Sequence, residues 1–231
     1  MSVSDSFDPY ADSYVDHVQR SIAFARTEHA YFIRRKTDKL VALAAEYVGV
    51  PETLRVLDVG CGIGACDRHL AGRFEELHGV DVSGEAIEHA VRANPTVHYA
   101  HYDGAHIPHL DSSMDVAFAT CVLHHVEPSR RTAFAAELAR VVRPAGLVVV
   151  FEHNPLNPLT RRAVRSCEFD RGVVLSGLRT TRRLLEGAGL GAVEARYIIF
   201  TTSNRPRVLR AEHRIGAVPL GAQYYVAAAA R

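Results

Sequence analysis

The run Val56-Leu57-Asp58-Val59-Gly60-Cys61-Gly62-Ile63-Gly64 constrains the fold more than any other part of the chain. It reads as a buried strand that enters a turn of closely spaced glycines and then a helix. Glycines in such a turn take positive φ at little steric cost and let backbone approach a ligand closely. The flanking sequence repeats the theme: apolar runs Leu54–Val59, Leu77–Val82, Val97–Tyr102, Met114–Thr120 and Leu147–Phe151 alternate with helical patterns at about 65–74, 84–92 and 129–142. This alternation predicts parallel strands with helices on both faces of the sheet. Two later β-like runs, Glu194–Thr202 and Gln223–Ala228, would complete a seven-stranded sheet. Two helices are expected over residues 8 to about 47, where Tyr31, Phe32, Leu40, Leu43 and Tyr47 recur at helical spacing.

At 231 residues and 48% hydrophobic, the chain is long enough for one full α/β core, and one domain over 1–231 is the expectation. Its divisions are a helical lid at 1–48, a core at 54–152 and a substrate-side insertion with the final strands at 153–231. Lys and Arg number 27 against 26 Asp and Glu, a net charge of +1, so no global field attracts nucleic acid or an anionic membrane. The partner is expected to be a small molecule, and the chain a monomer or homodimer. No apolar stretch approaches the length that spans a bilayer and the first ten residues are acidic, so a cytoplasmic location is expected. The four cysteines form no C-x-x-C pair and the 13 histidines no H-E-x-x-H, so neither disulfides nor a metal are expected.

A glycine turn of this kind serves more than one ligand. Asp81, about 20 positions beyond it, suits ribose hydroxyls in a dinucleotide site as well. Asp58 separates the choices: a carboxylate at the strand end suits a cationic amino-acid-type ligand and would repel a pyrophosphate. The chain also lacks a Tyr-x-x-x-Lys pair. Val56–Gly64 resembles motif I of the class I S-adenosylmethionine (SAM)-dependent methyltransferases, and other segments follow in that family's order. These are His78-Gly79-Val80-Asp81-Val82-Ser83, Tyr102-Asp103-Gly104, Thr120-Cys121-Val122-Leu123-His124-His125-Val126 and Val141-Val142-Arg143-Pro144-Ala145-Gly146-Leu147. The resemblance implies a Rossmann-like seven-stranded sheet with N-terminal lid helices, SAM as cofactor and S-adenosylhomocysteine as product. It implies that backbone around Gly60, Cys61 and Gly62 packs against the methionine part, that Asp81 takes the ribose and Asp103 the adenine amino group, and that Val82 flanks the ring. Asp58, Gly104, Cys121 and Lys36, the last as a cation for the SAM carboxylate, complete the cofactor set. Asp103-Gly104 also reads simply as a capped turn.

Ligands of such sheets lie beyond the carboxyl ends of the strands. His124, His153 and Tyr31 are the catalytic candidates, with His125 beside them; His124 and His125 read equally as support for the cofactor loop, and His153 reads rather as a pin for its turn. Asn154, Arg161, Arg165 and Arg171, with Tyr10 and Tyr14 from the lid, are the substrate candidates. Asn157-Pro158 reads as a helix N-cap followed by proline at the first helical position, and a guanidinium fork suits phosphonate, phosphate or carboxylate. The segments Phe151–Arg162 and Cys167–Asp170, with Pro219–Tyr225, resemble a bacterial subgroup associated with secondary metabolites and surface sugars. Phosphonate O-methyltransferases of phosphonate-peptide antibiotic biosynthesis lie within its reach. O-methylation of a small anionic natural-product intermediate is therefore expected. N- or C-methylation, an NAD(P)-dependent oxidoreductase and a non-catalytic SAM-binding module are the alternatives.

Overall fold

The computed structural model describes residues 14–23, 27–168 and 170–231. Seven strands form one sheet: β1 (Arg55–Val59), β2 (Glu76–Asp81), β3 (His98–His101), β4 (Met114–Thr120), β5 (Val142–His153), β6 (Gly191–Ile198) and β7 (Gln223–Ala229). Across the sheet they run β3-β2-β1-β4-β5-β7-β6, with β7 antiparallel to both neighbours and the other pairs parallel. The helices are α1 (Tyr14–Ser21), α2 (His29–Tyr47), α3 (Asp67–Leu70), α4 (Gly84–Ala93), α5 (Arg131–Val141), α6 (Pro158–Ser166), α7 (Leu178–Gly187) and α8 (Pro206–Arg214). This is the seven-stranded class I methyltransferase architecture.

The two-residue period of the strands divides the core between the two faces. Leu57, Val59, Val148 and Tyr224 bury on the face covered by Leu138 of α5 and Leu185 of α7. Their neighbours Val56, Phe118, Val149 and Tyr225 bury on the other, against Leu40 and Leu43 of α2. Each such leucine contributes roughly 1.5–3 kcal/mol by leaving water.

The helix expected over about 65–74 is only α3, four residues long. Asp67 at its start is buried and accepts from Tyr99 Oη at 2.8 Å, and Gly72, at φ +77°, turns the chain away. β6 ends at Ile198 rather than Thr202, because Ile199 at φ +62° breaks the ladder. α8 follows where no element was expected, pinned by Glu212, which accepts from the backbone of Phe200 and Thr201. Among the described residues no helix is long and apolar enough to cross a membrane.

Candidate active site

Strand order reverses between β1 and β4, and a cavity of about 780 Å³ opens over the carboxyl ends there, within the roughly 300–1,000 Å³ usual for small-molecule sites. Gly60 leaves β1 at φ +80°, and a Cβ on it would lie 2.5 Å from Val122 Cγ2, so the glycine turn packs directly on the β4 exit. Gly62, at φ +54°, has open space around it and lines the cavity. Asp81, at the end of β2, ties the loops together: Oδ2 accepts from Gly62 N at 2.7 Å and Oδ1 from Ser83 N at 2.9 Å. A carboxylate has about four lone-pair sites, so both oxygens keep room for hydroxyl donors.

Asp58 lines the cavity, is buried, and leaves Oδ1 without a hydrogen-bond partner. Burial, then Asp67 and Asp81, push its carboxyl well above the usual range. Burial raises Asp67 to about 7. Lys36 is buried on α2 with Nζ 3.7 Å from Cys121 Sγ, and both residues line the cavity, as do Cys61 and Val82. Asp103 and Gly104 also line it. Asp103 Oδ1 accepts from the backbone of Ala105 and His106, both at 2.7 Å, and those bonds hold its pKa at about 2. It therefore caps its turn while facing the cavity.

Cys121, at φ +58°, turns the chain out of β4 and brings His124 and His125 round to β5. His124 Nδ1 lies 2.8 Å from Glu152 Oε2, and both side chains are buried. Burial alone would lower His124, but Glu152 and Asp170 outweigh it and hold the imidazole at about 10. Glu152, which burial would raise, is kept at about 2 by His124. Asp170 Oδ1 lies 3.5 Å from His124 Nε2 and 3.2 Å from His125 Nε2. His153 lines the same cavity and is pushed down to about 4 by burial and then by His124; its Nδ1 lies 3.4 Å from Gln223 Nε2.

Several expected site residues lie elsewhere. Tyr31 is buried between helix and loop, donating to Thr201 O at 2.9 Å and accepting from Arg35 at 2.7 Å, and is absent from the cavity wall. Asn154 is fully buried; Nδ2 donates to Pro219 O and Gly221 O while Oδ1 accepts from Leu156 N, so its polar atoms are spent on the turn. Arg161 and Arg165 are exposed on α6 and do not reach the cavity, because α6 turns Thr160 and Val164 inward instead. Arg171 does line it. Tyr10 lies outside the described residues, as does the side chain of Tyr14 on α1. Glu152, Asp170, Gln223 and His29 were not singled out, yet all but Glu152 line the cavity. Glu152, Asp170 and Gln223 lie within the distinctive segments Phe151–Arg162, Cys167–Asp170 and Pro219–Tyr225, whereas His29 had no signal.

Residues 56–146 match the family described as a methyltransferase domain. The chain is 34% identical over 130 residues to the 2-methyl-6-phytyl-1,4-hydroquinone methyltransferase of Synechocystis, a match covering 53% of this chain and 40% of that one. It is 28% identical to a probable S-adenosylmethionine-dependent methyltransferase of Mycolicibacterium smegmatis, over 74% of this chain and 68% of that one. The chain thus spans two fifths of the length of the first relative and two thirds of the second. A SAM-dependent methyltransferase of Thermotoga maritima, described as a possible histamine N-methyltransferase, shares the fold with a TM-score of 0.69 at 16% identity, over 99% and 100% of the two chains.

Proposed function

We propose that the chain, which matches a methyltransferase domain over residues 56–146, is a class I SAM-dependent methyltransferase that methylates an oxygen of a small anionic acceptor, a phosphonate or similar oxyanion of a natural-product pathway. When bound, SAM supplies an electrophilic sulfonium methyl. The residues that would hold it fit the group: Asp58 offers a buried, unpartnered oxygen for an ammonium, Gly62 leaves backbone open, and Asp81 retains acceptor capacity. Lys36 is the nearby cation for a carboxylate.

The observation that carries the acceptor class is the character of the bases on the other wall. His29 and His153, both pushed down to about 4 by burial before any charge, line the cavity and are neutral at pH 7. Bases that weak draw little proton from an alcohol or phenol, whereas a phosphonate or carboxylate oxygen arrives ionised. Arg171 supplies a positive charge at the same wall, and its fork matches an oxyanion in two-point geometry. The chain's work is then to bind, align and dehydrate the two partners, whose opposite charges attract more strongly once water is excluded.

Release of S-adenosylhomocysteine from SAM should be measured against alkylphosphonates, phosphate esters, carboxylates, phenols and amines. Turnover confined to the oxyanions, weakened at least tenfold in KM by Arg171→Ala, is the expected result. Turnover only of amines, phenols or carbon acceptors would sink the acceptor class, and SAM binding without any turnover would favour a binding module.

A further inference from the structure

His124, His125 and Asp170 bring three ligand-type atoms to one place on the cavity wall, and methyl transfer as derived above has no use for them together. Asp170 Oδ1 is 3.2 Å from His125 Nε2 and 3.5 Å from His124 Nε2, and all three atoms lie within 4.8 Å of one another. Two ligands about 2.1 Å from one first-row metal, at tetrahedral or octahedral angles, are roughly 3.0–3.4 Å apart. The two distances to Asp170 are close to that range. His124 Nε2 and Asp170 Oδ1 are both buried and make no hydrogen bond of ordinary geometry, so their contact is an ion pair while His124 carries its second proton, and a metal ion would take that proton's place.

The surrounding groups orient these atoms as a metal requires. Glu152 Oε2 lies 2.8 Å from His124 Nδ1, while the same carboxylate accepts from the backbone N of His124 and of His153. With Nδ1 donating to that carboxylate, the outward nitrogen of a neutral ring is an acceptor, as in carboxylate–histidine–metal chains. The two imidazole rings lie side by side with centroids 4.1 Å apart, so both Nε2 atoms reach the same carboxylate oxygen. Among the described residues Glu152 and Asp170 form ion pairs only with histidines.

We propose that His124 Nε2, His125 Nε2 and Asp170 Oδ1 bind one divalent first-row transition-metal ion, with Glu152 as the residue that positions His124. Two imidazoles and one carboxylate leave coordination positions open, and the three residues line the cavity, so an acceptor oxygen would fill one of them. The sequence, read without a recognised ligand spacing, predicted no metal. Two adjacent histidines and an aspartate 45 positions away form no helical or hairpin motif, and the site exists only once β4 and the segment after α6 meet. The site rests on ligand geometry and is independent of the acceptor chemistry.

Untagged full-length protein, stripped with chelator and dialysed, should be titrated with cobalt(II) alone while the visible d–d absorption is followed. Saturation at one equivalent is expected. His125→Ala and Asp170→Asn should each lower the affinity at least tenfold, and Glu152→Gln by roughly 10–100-fold. Each variant is titrated with S-adenosylhomocysteine to establish that it is folded. X-ray absorption on the wild-type protein loaded with one equivalent of zinc gives a readout independent of any variant, and imidazole scattering from two histidines is expected. No saturable cobalt band in the wild type, no histidine scattering at the zinc edge, or equal binding by folded His125→Ala and Asp170→Asn would each overturn the proposal and leave a proton-bridged cluster.

Discussion

Two aspartates beside the glycine turn give the site its pH behaviour. Asp67 has a folded-state pKa of about 7 against an ordinary 3.8, raised by burial, and Asp58 beside it is raised in the same direction. The ligand-free fold therefore keeps a proton that the unfolded chain gives up near pH 4. This contribution to stability is full below pH 4 and is lost as the pH rises through about 7. Asp67→Asn, which keeps an oxygen for the Tyr99 hydroxyl, should flatten the fall in Tm between pH 4 and 7; an unchanged slope would show that the proton sits elsewhere. Asp81 acts differently, since it holds Gly62 and Ser83 and presents acceptors to the cavity. Hydrogen bonds to a charged group contribute roughly 1.5–3 kcal/mol each. Asp81→Ala is expected to raise the Kd for S-adenosylhomocysteine at least 100-fold by calorimetry, and a change under fivefold would remove Asp81 from the cofactor site.

The glycine turn separates packing from binding within one element. A Cβ at Gly60 meets Val122 at 2.5 Å in a left-handed conformation, whereas a Cβ at Gly62 meets nothing within 4 Å. Left-handed backbone alone costs a residue with a Cβ roughly 1–2 kcal/mol. Gly60→Ala should therefore lower Tm more than Gly62→Ala, and Val122→Ala should recover part of the loss. Gly62→Ala should instead weaken S-adenosylhomocysteine with a smaller loss of stability, because its new methyl enters the cavity. Equal thermal shifts for the two variants would contradict this division. The elements most legible in the sequence were those with a local cause: the strand into Gly60, the helix expected over about 84–92, which Ser83 caps in the fold, and the Asn157-Pro158 start of α6, where Asn157 Oδ1 accepts from Leu159 N and Thr160 N. Those misplaced were decided by distant partners. The start of α3 is tied to Tyr99, 32 residues beyond Asp67, and α8 is tied to the loop after β6 through Glu212.

At the scale of the molecule the same contrast holds for the site. The proposed cofactor wall comes from loops that directly follow strands, so the motifs carrying the family resemblance, with the charge of Asp58, pointed to Asp58, Asp81, Val82 and Asp103, and all four line the cavity. The opposite wall is assembled from α1, α2, the β4 and β5 exits and the segment after α6, and residue type there did not predict position: Arg161 and Arg165 face solvent while Asp170 and Gln223 line the cavity. Val18, Ser21 and Ile22 of the α1 region line it too, and α1 packs on both α2 and α6. An occupied cavity thus touches segments with few other burial partners, and such segments open locally at the lowest free-energy cost. Hydrogen exchange with and without saturating S-adenosylhomocysteine should show slowed exchange not only at 58–64, 81–83 and 103–104 but also at 17–22 and 159–173. If protection stops at the three cofactor loops, α1 and the segment after α6 form a static wall instead of a cover that settles on the ligand.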